Sequence, residues 1–140
     1  MGMTIACAGA GRHVYSGRWH AWEETVYLSR TLVDEAVTAW RCEHLRDDAR
    51  VIVSELVTNS VRADRGGLIE VRLTNHNGAV MGIRVWDNSP RRPEDRHPGE
   101  LGERGRGLFI VRALTNDACG WEYLPAAQGG GKVVWATLAV

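Results

Sequence analysis

Apolar and polar positions follow two different periods along the chain, and the period changes several times. Segments with apolar residues at helical spacing predict helices, and segments with strict alternation predict strands. The predicted elements are helices over residues 22–40, 48–63 and from Gly107 onward, and strands over 68–74, 79–87, 118–124 and 133–138. Helices mixed with hairpin strands predict an α+β two-layer sandwich, with a mostly antiparallel, mixed sheet and three helices on one face.

The N-terminal segment, residues 1–20, is glycine-rich and weakly patterned, and we expect one edge strand in it at about 12–19. The whole chain has 140 residues, the usual length of one domain. We therefore expect this segment to precede a single domain over residues 21–140.

The second predicted helix carries a polar stripe beside its apolar one. Its apolar positions are Ala49, Ile52, Val53, Leu56, Val57 and Ser60. Glu55, Asn59 and Arg62 form the polar stripe, and Glu55 and Asn59 lie one turn apart, so both can reach one ligand. A carboxylate suits a general base, and an amide oxygen suits Mg²⁺. Taken alone, this spacing is more typical of a stripe that faces solvent.

The second predicted strand ends in an acidic residue on its apolar side. Asp87 follows Ile83 and Val85 at period two, so it is expected to point towards the core. An unpaired buried carboxylate is costly, and the exocyclic amine of a purine base would give it a partner. The alternative is an ordinary turn, because Asp-Asn-Ser-Pro is favourable turn chemistry.

A long polar segment, residues 88–106, separates this strand from the third helix. At nineteen residues, it is longer than compact domains usually contain without a functional reason. Its five arginines can close over phosphates, although four acidic side chains offset most of that charge. The segment ends in Gly105-Arg106-Gly107, where free backbone N–H groups at a helix start suit phosphate. A flexible hinge is the alternative for these glycines.

Composition excludes several classes of function. Seventeen basic and seventeen acidic residues cancel, so nothing electrostatic favours nucleic acid or an anionic membrane. Cys7, Cys42 and Cys119 are far apart, which argues against disulfides and zinc and favours a reducing cytoplasm. His97 has no second metal ligand at a useful spacing. No apolar run approaches a membrane span, and we expect no signal peptide.

Four motifs in order resemble the histidine-kinase-like ATPase family, also known as the GHKL or Bergerat fold. They are SELVTNSVRAD at 54–64, VWDNSPRRP at 85–93, GERGRGLFIVRAL at 102–114 and GGGKVVWATL at 129–138. Within that family the chain is most similar to small bacterial ATP-binding proteins related to anti-sigma factor serine/threonine kinases. Ser89 and Arg91 stand where the family's first glycine box has glycines, and Lys132 stands where a threonine is frequent.

The resemblance implies a role for each matching residue. Glu55 would be the general base, Asn59 would coordinate Mg²⁺ on the phosphates, and Asp87 would accept the adenine amino hydrogen. Gly105 and Gly107 would let backbone amides approach the phosphates. The remaining residues implied to bind the nucleotide are Arg62, Ser89, Arg104, Arg106 and Leu108.

The function implied is Mg-ATP binding, with phosphoryl transfer to a serine or threonine of a protein in sigma-factor partner switching. The implied partners are a sigma factor, an anti-anti-sigma-type protein, or both, and relatives often form homodimers. One alternative is a regulator that binds ATP or ADP without catalysis. Another is an interaction domain with a degenerate pocket, which would use exposed tryptophans such as Trp19, Trp22 and Trp121.

Overall fold

A computed structural model describes residues 13–93 and 107–140, and these form an α+β sandwich as predicted. The strands are β1 (Val14–His20), β2 (Leu68–His76), β3 (Val80–Asp87), β4 (Cys119–Tyr123) and β5 (Lys132–Ala139). The helices are α1 (Glu23–Ala39), α2 (Arg46–Ala63) and α3 (Gly107–Thr115), with short 3-10 turns at Glu43–Leu45 and Ala126–Gln128.

The five strands form one open sheet in the order β1-β2-β3-β5-β4. Every pairing within the described ranges is antiparallel, so the parallel component expected of a mixed sheet is not found there. β1 forms one edge, as the N-terminal pattern predicted. β3 and β5 are adjacent in the centre, and their register sets Asp87 directly opposite Lys132. The last residue of one strand therefore faces the first residue of the other.

The core lies between the sheet and the helices, and α2 contacts both α1 and α3. The predicted apolar stripe of α2 is buried along its whole length, from Ala49 to Ser60. Alternate residues of β3, such as Ile83 and Val85, are fully buried beneath it. Because the stripe faces the sheet, the polar stripe of α2 is left at the edge of this layer, where a ligand could reach it.

The start of α2 differs from its prediction. The helix begins at Arg46, directly after the 3-10 turn, and its N-cap position is Leu45, with no side-chain cap. Asp47 and Asp48 lie in the first turn, where a negative charge favours the positive end of the helix dipole. The pattern of apolar residues could not locate this boundary because the 3-10 turn contributes its own buried residue, Leu45.

The face of the sheet away from α1–α3 is polar and partly aromatic. It has a cleft of about 400 Å³ that includes Arg72, Arg84 and Trp86. Trp19, one of the tryptophans that the interaction-domain alternative takes to be exposed, is only 3% exposed, whereas Trp22 is 40% exposed. Trp19 is buried because it lies on the helix-facing side of β1.

Among the described residues, no helix is long and apolar enough to span a membrane.

Candidate functional site

A small cavity opens where the C-terminal half of α2 meets the end of β3 and the start of β5. The residues that line it are Asn59, Ser60, Arg62, Ala63, Asp87, Arg91, Arg92, Pro93, Lys132 and Val134. Three predicted site residues, Asn59, Arg62 and Asp87, therefore meet at one place, although α2 and β3 are separate in the sequence. The cavity measures about 30 Å³, which is room for one or two water molecules.

Asp87 is fully buried and receives three hydrogen bonds. Its Oδ2 accepts from the Ser60 hydroxyl at 2.6 Å, and its Oδ1 accepts from the Ser89 backbone N–H at 3.0 Å. Oδ1 also forms an ion pair with the Lys132 ammonium at 2.7 Å. The period-two prediction that Asp87 points inwards is confirmed, and its partners come from the protein itself.

Ser89 and Arg91 build the turn that follows β3. The Ser89 Oγ accepts a hydrogen bond from the Arg91 backbone N–H at 3.0 Å, and Ser89 is 2% exposed. These residues replace glycines of the family motif, and the side chain of Ser89 supplies a turn contact that glycine lacks. The contact of Ser89 with a nucleotide stays a prediction.

Asn59 and Arg62 bring polar groups to the cavity from α2. The Asn59 Nδ2 atom is buried and has no hydrogen-bond partner within the described part of the chain. A buried amide without a partner is uncommon and indicates a place where water or a ligand binds. Arg62 is exposed, one turn further along the helix, so its guanidinium can reach the mouth of the cavity.

Glu55 lies apart from this cavity. It borders an open groove of about 400 Å³ between α1 and the first half of α2, together with Arg30, Arg50 and Ser54. Burial raises the pKa of the Glu55 carboxyl above its ordinary value, and the charges of Arg62 and Arg30 partly offset that effect. Glu55 therefore has the environment of a proton acceptor, but in the described part of the chain it borders this groove while Asn59 borders the cavity.

The third helix is described over Gly107–Thr115, and the residues directly before it lie outside the described ranges. Leu108 is buried, with 9% of its surface exposed, and it belongs to the hydrophobic core. It therefore anchors the first turn of α3 against the body of the domain. Arg104, Gly105 and Arg106 lie outside the described residues, so their predicted contacts with phosphates are not tested.

Lys132 and Ser60 are the site residues that sequence reasoning missed. The helical spacing puts Ser60 in the apolar stripe, and the predicted last strand starts at 133, one residue after Lys132. A signal for Lys132 was present, because it shares the period-two parity of Val134 and Ala136, which are buried. Continuing that alternation by one step places the lysine on the buried face.

The donor set of the cavity fits an anionic ligand with hydrogen-bond acceptors. Its lining contains four cationic side chains and one carboxylate, and the Asn59 Nδ2 adds an unsatisfied donor. Arg91 and Arg92 are exposed, so they can move away from its mouth on ligand binding. Within residues 13–93 and 107–140, no three His, Cys, Asp or Glu side chains cluster as a metal site. A cation here would have to rely on Asn59 and on oxygens of the ligand.

Comparison with known families gives one match that covers most of the chain. The family model described as a histidine kinase-like ATPase domain matches residues 20–138. The match includes the residues that line the cavity, and it extends from the last residue of β1 to the residue before the end of β5. No curated protein matches the chain.

Proposed function

Because the chain belongs to the histidine kinase-like ATPase domain family, we propose that it is a Mg-ATP-binding regulator of the anti-sigma factor kinase type. Membership of this family supports nucleotide binding. The finer proposal, phosphoryl transfer to a serine or threonine of a protein partner, is supported by the resemblance of the motifs. The partner would be a sigma factor, an anti-anti-sigma-type protein, or both, and the working assembly would be a homodimer of this chain.

One observation carries the nucleotide proposal: residues from separate motifs line a single cavity. Asn59 and Arg62 come from α2, Asp87 comes from the end of β3, and Lys132 begins β5. A buried carboxylate and an ammonium suit the polar edge of a base. An amide and guanidinium groups suit phosphates, since arginine presents several donors to phosphate oxygens.

The residues of the chain would divide the work of binding and catalysis. Asp87 would orient the base, and Arg62 with the arginines after β3 would bind phosphate oxygens. Asn59 would hold Mg²⁺, which neutralises the charge on the phosphates when it is bound. Glu55 would take the proton from the attacking hydroxyl, a role that its raised pKa favours.

A second candidate function is a regulator that binds the nucleotide without catalysis. Its support is the position of Glu55, which borders the groove near Arg30 instead of the cavity near Asn59 and Asp87. A bound nucleotide would then act only through the shape of the segment between β3 and α3. The two candidates differ in what Glu55 does.

Phosphoryl transfer is tested with ATP that carries a radiolabelled γ-phosphate. We expect the wild-type chain to label one protein in an extract of its own cells, at serine or threonine. Glu55→Gln should lower the rate of labelling by roughly 100-fold or more, the usual contribution of a general base. Glu35→Gln, at an exposed position of α1, is the control and should label at the wild-type rate.

Binding without labelling would favour the non-catalytic regulator. That outcome requires that the wild type and Glu55→Gln bind Mg-ATP equally well by calorimetry while neither labels any protein. Labelling that is unchanged in Glu55→Gln would contradict the general-base role and leave another group as the proton acceptor.

A further inference from the structure

Lys132 has hydrogen-bonding capacity that the described residues leave unused. Lys132 is buried, with only 2% of its surface exposed, which is comparable to the residues of the hydrophobic core. Its ammonium makes one contact in the described structure, the ion pair with Asp87 Oδ1. An ammonium carries three N–H donors, so two of them await acceptors. Buried donors are nearly always satisfied, so the space beside Lys132 suits water or a ligand that carries acceptor atoms.

The carboxylate next to it also has capacity left. Among the described residues, Asp87 Oδ1 accepts from Lys132 and from the Ser89 N–H, whereas Oδ2 accepts only from the Ser60 hydroxyl. A carboxylate oxygen can accept two hydrogen bonds, so Oδ2 can take one more. Asp87 and Lys132 face each other across β3 and β5, and both line the cavity. The cavity is therefore bordered by an available acceptor beside available donors.

We propose that Lys132 recognises the base directly and donates to the ring nitrogen N1 of a 6-aminopurine whose amino group donates to Asp87 Oδ2. This proposal rests on the proposed nucleotide-binding function and assigns that site a further specificity residue. Adenine has a donor at position 6 beside an acceptor at N1, which matches the acceptor and donor of this pair. A 6-oxopurine has an acceptor at position 6 and a donor at N1, so in the same pose both contacts become repulsive.

The opposite role for Lys132 is a plug that occupies the place of the amino group. In that case Lys132 would have to leave Asp87 before the base could bind. The two roles predict effects of opposite sign when the ammonium is removed. Direct recognition predicts weaker binding without it, and a plug predicts tighter binding.

The first test changes the ligand and leaves the protein intact. The affinities of the wild-type chain for ATP, 1-deaza-ATP and 7-deaza-ATP are measured by calorimetry with Mg²⁺ present. The 1-deaza analogue lacks only the N1 acceptor, so we expect it to bind about tenfold or more weakly, the effect of losing a hydrogen bond to a charged group. The 7-deaza analogue is the matched control, and it should bind within about threefold of ATP.

The second test removes the ammonium. Lys132→Met keeps a long side chain, and we expect it to weaken ATP binding about tenfold or more and to bind ATP and 1-deaza-ATP alike. Circular dichroism and thermal melting establish whether this variant is folded. If it is not, the ligand series on the wild type decides the question by itself.

Two results would overturn the inference while leaving the proposed function in place. One is a wild type that binds ATP and 1-deaza-ATP equally, and the other is a folded Lys132→Met that binds ATP more tightly. If the wild type bound no adenine nucleotide at all, the proposed function would itself fail, together with this inference. Failure of the proposed nucleotide-binding function can therefore be distinguished from failure of the inference about Lys132.

Discussion

At the scale of single residues, the buried pair of Asp87 and Lys132 determines how the site can be studied. Removing one partner of a buried ion pair costs about 3–5 kcal/mol in typical proteins, because the other charge remains buried. Substitutions of Asp87 therefore change folding as well as binding. Asn59 is a better probe, because its buried Nδ2 has no hydrogen-bond partner among the described residues, so truncation of the side chain removes no hydrogen bond made by that atom.

Glu55 gives a prediction about the dependence of stability on pH. Burial raises the pKa of its carboxyl in the folded state, so ionisation of Glu55 at neutral pH destabilises the fold. Glu55→Gln should therefore have a higher free energy of unfolding than the wild type at pH 7. This difference in the free energy of unfolding should shrink as the pH falls from the raised pKa of folded Glu55 towards its pKa in the unfolded chain. The reason is that the carboxyl of the folded wild type then becomes neutral.

Urea denaturation of the two proteins between pH 4 and pH 7 measures this difference. Glu35→Gln, which changes an exposed glutamate of α1, controls for the general effect of removing a negative charge. A gain in stability that stayed constant with pH, or one that Glu35→Gln reproduced, would show that burial of Glu55 is not its cause.

At the scale of elements, the junction between β3 and β5 brings the polar groups of the site together. β5 begins at Lys132, directly after three glycines with positive φ angles, Gly129, Gly130 and Gly131. A side chain at Gly131 would overlap the backbone carbonyl oxygen of Asp87. The last glycine is therefore required for the close approach of the two strands, as well as for its left-handed backbone conformation.

The adjacent glycine provides a matched comparison for this close approach. Gly130 has a φ of 66° and Gly131 a φ of 70°, but a Cβ at Gly130 meets nothing within 4 Å. Gly130→Ala should lower the free energy of unfolding by about 1–2 kcal/mol, the cost of a left-handed alanine. Gly131→Ala should lower the free energy of unfolding by about 1–3 kcal/mol more than Gly130→Ala does, because its Cβ overlaps the Asp87 carbonyl oxygen. It should also weaken nucleotide binding.

Denaturant unfolding of the two variants, followed by titration with ATP, checks both effects. Equal destabilisation by the two alanines would contradict the account of the β3–β5 junction. So would nucleotide binding that Gly131→Ala left unchanged, because the overlap lies at the backbone of Asp87 itself.

At the scale of the whole molecule, the periodicity of the sequence predicted the fold because each period has a direct physical cause. The stripe on α2 and the alternation along β3 both arise from burial of one face, so they identify the elements and place Asp87 inwards. The order of motifs then brought Asn59 and Asp87 together, and the cavity confirms that they are neighbours.

The rest of the site depends on relations that periodicity does not contain. Lys132 meets Asp87 through a register between strands 45 residues apart, and no local pattern specifies that register. Helical spacing correctly makes Glu55 and Asn59 neighbours on α2. It does not specify that α1 borders a groove beside Glu55 while β3 and β5 enclose a cavity beside Asn59.

The most direct test of the central claim is calorimetric titration of ATP, with and without Mg²⁺, into the wild type, Asn59→Ala and Thr58→Ala. Thr58 is the adjacent, half-buried position of α2, so its variant controls for a general disturbance of the helix. We predict that the wild type and Thr58→Ala bind ATP more tightly with Mg²⁺. Asn59→Ala should bind Mg-ATP about tenfold or more weakly and lose the effect of Mg²⁺. No binding by the wild type at millimolar ATP, or equal Mg²⁺-dependent binding by all three proteins, would contradict a nucleotide site at this cavity.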